Sequence, residues 1–426
     1  MRKIREEWKV EIENLQKIER ASANKVCQIR QYRLITPLFG GGVEAGIVDE
    51  TNPIRETSIR GQLRFWWRAT RGTGDVKDVK KREDEIFGGG GENASQSKVF
   101  VKVETINHGS LMSIFDVRRE RRVRPIRGYE AIAYAAFPLQ PSREQTEQQL
   151  NKVLSGVKFK LHISFPEEIR CDIEAALWAW ETFGGVGART RRGFGAIELL
   201  SVEENGVGKE VKKYSKNMAE SQIRDDLRKF VKSNHRDQRI PHLSPETKFK
   251  VLVAKDAEDA WRIAIQKLKD FRQFRIDRRT GRRSPFGKSQ WCEPDAIRNI
   301  VRGRRVNNLV EKFPRAAFGL PILFHFPQDG TIPDVALKPK DYERVASPLI
   351  LKPIPCEDGA VAVAILLERE LFPNGLVIEY EDKDKKIVNK NVKANLSANE
   401  AIILTKGGLT VLRNKTDVIE AFFDFF

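Results

Sequence analysis

Residues 157–165 alternate without a break: Val157, Phe159, Leu161, Ile163 and Phe165 are apolar, while Lys158, Lys160, His162 and Ser164 are polar. This is the period-2 signature of a strand with one face in a core and the other toward water. Pro166 and Glu167-Glu168 then open a helix with acid in its first turn. Ile169, Ile173, Ala176, Leu177, Trp180 and Phe183 recur at helical spacing as one apolar stripe. Gly184-Gly185 ends it. A glycine-rich stretch runs to Gly195, and Ala196–Val202 reads as a further strand. Upstream, Val26–Thr36 and Lys98–Glu104 read as strands and Ser58–Arg71 as a helix between them. The predicted order is β-α-β-β-α-β, a ferredoxin-like (RRM-like) arrangement of the α+β class.

At 426 residues the chain has room for two such units with insertions. Residues 1–22 are charged and helix-forming, an expected N-terminal arm. Residues 23–205 form the expected first domain, with a long insertion at about 105–155. Residues 206–245 are polar and lysine-rich and read as linker or insertion. A second unit, 246–426, begins with alternating Phe249, Val251 and Val253. A helix bearing Ala257, Trp261, Ala264, Ile265 and Leu268 on one face follows it. Strands are predicted at Leu320–Phe326, Pro348–Pro353 and Ala360–Leu367, a hairpin around 376–390, and a closing helix near 416–425. The expectation is a tandem of ferredoxin-like domains with insertions.

Lysine and arginine total 76 against 59 acids, a net charge of +17 spread over many loops. That balance favours a polyanionic partner, nucleic acid above all. The longest apolar run, Ala360–Leu367, is far short of the ~18 residues a spanning helix needs. The N-terminus opens no apolar signal segment, and the four cysteines form no CxxC pair. A cytoplasmic protein without membrane contact is expected.

The charge is patterned. On the Ser58–Arg71 helix, Ile59, Leu63, Trp66 and Thr70 point one way, whereas Arg60, Arg64, Arg68 and Arg71 form a stripe on the other, with no acid between them. Such a stripe is easiest to tolerate with a polyanion to neutralise it. The insertion holds Arg118, Arg119, Arg121 and Arg122 among six arginines in ten residues. The second unit holds a comparable loop with Arg272, Arg275, Arg279, Arg282 and Arg283. The glycine-rich stretch carries Arg189, Arg191 and Arg192. Gly193 and Gly195 in it would let the backbone approach a ligand, and Phe194 is the only aromatic placed to stack a base. Phosphate contacts of this kind give affinity without sequence choice.

The glycine-rich stretch lacks the Gly-Lys-Ser/Thr ending of a phosphate-binding P-loop, and a strand follows where GxGxxG requires a helix. Arg192-Gly193-Phe194-Gly195 begins like the RNP1 motif but follows the second helix instead of forming the third strand. The five histidines show no metal spacing, so no metal or cofactor is expected. His108 is the best candidate general base for RNA cleavage, with no second His or Lys tied to it by sequence.

The ferredoxin-like order with a glycine-rich loop after the second helix resembles the RAMP superfamily of CRISPR-associated proteins. Ile35–Gly42, Ile54–Arg68, Ile86-Phe87-Gly88, Arg189–Ala196, Ala317–Pro321 and Ser347–Lys352 are similar to the first RAMP subunit of the type III-B Cmr effector complex. The resemblance implies two ferredoxin-like domains and a non-catalytic place near the 3′ side of a guide RNA. There the chain would help engage crRNA and target RNA beside other Cmr subunits, in antiviral defence. Arg55, Arg60, Arg64, Arg68 and Arg71 would line a phosphate track with Arg189, Arg191 and Arg192. The rival expectation is a metal-independent crRNA-processing endoribonuclease, since related RAMP proteins act with a histidine base and a 2′-OH nucleophile.

Overall fold

The computed structural model describes residues 24–426 apart from 43, 45, 91–93, 119–121, 141–150, 235, 278, 285, 305–308, 328 and 373. The expected N-terminal arm therefore lies outside the described residues. Strand β1 (Lys25–Leu34) leads to helices α1 (Glu56–Arg71) and α2 (Val76–Phe87), then β2 (Phe100–Asn107). Strand β3 (Lys158–Pro166), helix α3 (Arg170–Phe183) and strand β4 (Ile197–Glu204) follow. The sheet order is β2-β3-β1-β4, antiparallel throughout, with Val207–Lys209 added beyond β4. Phe159, Leu161, Ile163 and Phe165 are buried as the alternation requires, and they meet Ile59, Leu63 and Trp66 of α1 and Ile173, Leu177 and Trp180 of α3 in one core.

The sequence predicts one buried stripe on α3, yet Ala175, Trp178 and Ala179 are buried along with Ile173, Ala176, Leu177 and Trp180. A helix that is apolar all round has neighbours all round. The second neighbour is a three-stranded antiparallel sheet of the C-terminal half. It comprises β5 (Phe249–Ala254), followed by helix α4 (Ala257–Arg272), and two later strands, Leu349–Cys356 and Gly359–Leu366. Its order is 249–254, 359–366, 349–356, and no fourth strand joins it among the described residues. The last two strands are buried on both faces, and the parity of each residue decides its core. Ile350, Ile354, Val361, Val363 and Ile365 pack into the core of the first half. Leu349, Leu351, Ala360, Ala362 and Ala364 pack against Trp261, Ala264 and Leu268 of α4.

Of the two readings of residues 206–245, linker or insertion, the packing of this segment on the first core fits an insertion. Helix Ala219–Phe230 buries Ala219, Ile223 and Leu227, one residue per turn on one side, and Phe230 stacks on Trp178 at 5.0 Å. Buried Arg236 donates to the carbonyls of Ala69 at 3.1 Å and Thr70 at 2.6 Å, satisfying the open C-terminal end of α1. The predicted hairpin is present as Leu376–Glu381 and Ile387–Val392. It joins Ile322–Phe324 and Val335–Pro339 in a separate four-stranded sheet. The closing helix spans Val418–Phe425. Among the described residues, no helix is long and apolar enough to cross a membrane.

Candidate nucleic-acid interface

Helix α1 carries its arginines on one side, as expected, but three of them are neutralised within the protein. Arg64 meets Glu83 at 2.6 Å and Asp84 at 3.3 Å, and Arg68 meets the same Glu83 oxygen at 2.6 Å. Arg71 meets Asp172 of α3 at 3.3 Å. The acids belong to α2 and α3, so a stripe without an acid in its own sequence is salt-bridged across helices. Arg64, Arg68 and Arg71 thus tie α1 to its neighbouring helices, so a phosphate along the expected track would compete with these carboxylates. Among the described residues Arg60 reaches only the Val99 carbonyl, at 3.4 Å, and Arg55 donates to the carbonyls of Gly41 and Gly42. Trp67 is buried and donates from Nε1 to Asp172 at 3.2 Å.

Helix α2 is the element missed in the sequence. Its signals are a reciprocal capping box between Asp75 and Asp78, and Val79, Glu83 and Ile86 on one buried face.

The glycine-rich loop is built for close approach, although what approaches is mostly protein. Gly193 and Gly195 have φ of 76° and 57°. A Cβ on Gly193 would lie 2.6 Å from the Trp261 indole, and one on Gly195 would lie 1.9 Å from the Val186 carbonyl oxygen. Phe194 is fully buried, edge-on to Trp261 at 4.8 Å and to Phe39 at 5.4 Å. It joins the two halves and is unavailable to stack a base, a correction to the expectation. The RNP1-like string puts this ring into a core because its strand comes last in the unit instead of third.

Among the described residues, the arginines of this loop meet no carboxylate. Arg189, itself left-handed at φ 57°, donates to the Ala135 carbonyl at 2.8 Å and lies over Phe137 at 5.3 Å. Arg191 donates to the Ser347 carbonyl and lies over Phe65 at 5.7 Å. Arg192 donates to Leu349 at 2.8 Å, Arg191 at 3.0 Å and Phe318 at 3.4 Å, all carbonyl oxygens. Burial, then repulsion from Arg272, Arg189 and Arg191, pushes Arg192 down to about 9. Burial and Arg369 push Arg191 down to about 10. Arg272 lies over the Phe318 ring at 5.8 Å, with its Nε buried and unpartnered. Five guanidiniums (Arg189, Arg191, Arg192, Arg272 and Arg369) thus gather at the junction, each meeting carbonyls or rings and, among the described residues, no acid.

Arg119 and Arg121 lie outside the described residues, as do the side chains of Arg118 and Arg122, which pair across a short antiparallel ribbon. In the second half, Arg283 approaches Asp270 at 3.6 Å and lies over Phe274 at 5.0 Å, whereas Arg282 is exposed. His108 is exposed in a loop, and His162 sits on the uncovered sheet face, 3.1 Å from Glu104. Among the described residues, no group of three or more His, Cys, Asp or Glu is disposed to hold a metal ion.

Residues 31–198 match the RAMP superfamily. Over 183 residues the chain is 27% identical to the CRISPR system Cmr subunit Cmr1-2 of Pyrococcus furiosus, covering 40% of this chain and 93% of that protein. The crystal structure of Cmr1 from Pyrococcus furiosus in its apo form aligns with 89% of this chain and 96% of its own, at 16% identity and a TM-score of 0.46. A chain of the Type III-B Cmr-beta assembly bound to cognate target RNA aligns with 91% of this chain and 99% of its own, at 14% identity and a TM-score of 0.48.

Proposed function

The chain carries a RAMP-superfamily segment and is similar to a Cmr subunit over it, and from that premise we propose that it is a non-catalytic RNA-binding subunit of a cytoplasmic type III-B CRISPR (Cmr) ribonucleoprotein. In antiviral defence it helps engage crRNA and target RNA beside other Cmr subunits. Its scaffold is two ferredoxin-like halves, the second with three sheet strands among the described residues.

The carrying observation is the cluster of five arginines at the junction of the halves, which meet no carboxylate among the described residues. Guanidiniums that repel one another in a desolvated setting call for external negative charge, and phosphate oxygens match their planar forks. Beside the cluster, half-exposed Gly41 and Gly187 lie against each other, with 3.7 Å between a Cβ built on Gly41 and the Gly187 Cα. Arg55 borders this bare backbone through its bonds to Gly41 and Gly42. A sugar-phosphate backbone can approach such a surface closely.

The test spares the arginines that hold carbonyls across the junction. Arg272→Ala combined with Arg369→Ala should bind labelled single-stranded RNA more weakly, with a log–log salt slope shallower by about 0.7 per lost phosphate contact. Unchanged affinity and slope in a folded double variant would remove the assignment. Labelled repeat RNA should also survive incubation with the chain in EDTA. Cleavage that persists there and vanishes in His108→Ala would favour the processing-endoribonuclease reading.

A further inference from the structure

The short hairpin after α4 joins Arg275–Ile276 to Lys288–Ser289, and its loop presents charge with one ring. The Asp277 carboxylate accepts from the backbone N–H groups of Arg279 at 2.8 Å and Thr280 at 3.1 Å, and the Asp277 N–H donates to the Arg282 carbonyl at 2.8 Å. The loop's acid is therefore engaged by its own backbone. Arg275, Arg279 and Arg282 are exposed and, among the described residues, form no ion pair. Arg283 differs: it donates to the Asp270 carbonyl at 3.1 Å and roots the loop on α4. A Cβ on Gly287 would lie 2.4 Å from the Ile276 carbonyl carbon, so the base of the hairpin is drawn tight.

Beside these arginines Phe286 is 96% exposed, the barest of the large apolar side chains among the described residues. Scattered exposed apolar residues are ordinary on a surface. A phenyl ring standing clear of the protein inside a loop of unpaired arginines is a different case. Those two features are what a single strand of nucleic acid uses, a flat ring for a base and cations for the flanking phosphates.

We propose that the 275–289 hairpin is a second RNA contact, in which Phe286 stacks on a base of a single-stranded segment while Arg279 and Arg282 hold its phosphates. This rests on the RNA-binding reading above and adds a site outside the glycine-rich loop. It is written for RNA because, among the described residues of the loop, Arg275, Arg279 and Arg282 form no ion pair, Phe286 is bare, and the one acid, Asp277, is engaged by its own backbone.

The full-length chain is titrated with labelled, unstructured single-stranded RNA over a salt series, using Phe286→Leu, Phe286→Tyr and the pair Arg279→Ala with Arg282→Ala. Stacking predicts about a tenfold loss of affinity for Phe286→Leu, with an unchanged salt slope because no charge is removed. Phe286→Tyr keeps a planar ring and stays near wild type. The double arginine variant shows a slope shallower by about 1.4. If wild type binds RNA and Phe286→Leu binds equally well, the hairpin is not a stacking site and the proposal falls, leaving the RNA-binding reading intact. A protein-docking loop would give that same result while Phe286→Leu weakened assembly with other subunits, and this too overturns the proposal. Failure of the wild-type chain to bind RNA removes the reading and the proposal together.

Discussion

The indole Nε1 of Trp261 donates to the Arg192 carbonyl at 2.7 Å, and this bond ties the helix of the second half to the glycine-rich loop of the first. Gly193, the next residue, has φ 76° and no room for a side chain, since its Cβ would meet the indole at 2.6 Å. Gly193→Ala therefore combines a left-handed alanine with a clash against a buried ring. A loss of about 2 kcal/mol or more is expected, read as a lower denaturant midpoint at unchanged m-value. Gly208→Ala is the matched control. It lies in an edge strand with nothing within 4 Å of its Cβ, and its change should stay within about 0.5 kcal/mol.

The strands and the unit they build were legible because the information was local. Alternation from Val157 to Phe165 announces a half-buried strand, and Gly184 marks the end of α3. The counter-ions of α1 were not legible. Glu83 stands 15 residues beyond Arg68 and 19 beyond Arg64, and Asp172 stands 101 beyond Arg71. Charge pairing across packed helices leaves no periodic trace. Phe194 was misread for a related reason: an aromatic between glycines reads the same whether its ring meets a base or Trp261. Polarity left linker and insertion undecided over residues 206–245, because the 219–230 helix needs only Ala219, Ile223 and Leu227 to hold its place.

Glu83 is 4% exposed, and one of its oxygens serves two arginines that are about a third exposed. Glu83→Gln removes the charge between Arg64 and Arg68, leaving Arg64 only its longer contact with Asp84 at 3.3 Å. Partial solvation of the arginines keeps the expected loss near 2 kcal/mol, below the cost of breaking a fully buried pair. Arg68→Ala should cost about 1 kcal/mol, because Arg64 still holds Glu83. Its RNA salt slope should match wild type. A slope shallower by about 0.7 would return Arg68 to the RNA path.

Arg192 spans the junction with three carbonyl acceptors, on Leu349, Arg191 and Phe318. Lysine keeps the charge but lacks the planar fork that reaches several acceptors at once. Arg192→Lys should lower stability by about 1–3 kcal/mol and speed limited proteolysis between the halves. Equal protease resistance would mean that apolar packing around Phe194 holds the junction unaided.

Lys352 is 1% exposed, and its Nζ donates to the Glu181 carbonyl near the end of α3. Burial pushes its pKa down from 10.5 to about 7, with the Glu181 carboxylate pulling the other way. Glu181 is itself held by Arg30 at 2.8 Å and Tyr32 at 2.6 Å, so little of its field is left for Lys352. A base whose pKa falls on folding binds fewer protons folded than unfolded between the two values, so stability rises with pH from about 7 toward 10.5. The rise reaches up to about 1.4 kcal/mol per pH unit for one proton, and below pH 7 the penalty is present in full. Above about pH 10 the buried Tyr32 and Tyr214, both held above their ordinary range, act in the opposite direction, and the window closes there. Lys352→Met removes the titration. Its stability relative to wild type should therefore be greatest at pH 7 or below, and the advantage should shrink steadily as pH approaches 10. Chemical denaturation of both proteins across pH 6–10 measures the difference. Parallel curves would show that Lys352 stays protonated throughout and that the Glu181 network compensates its burial.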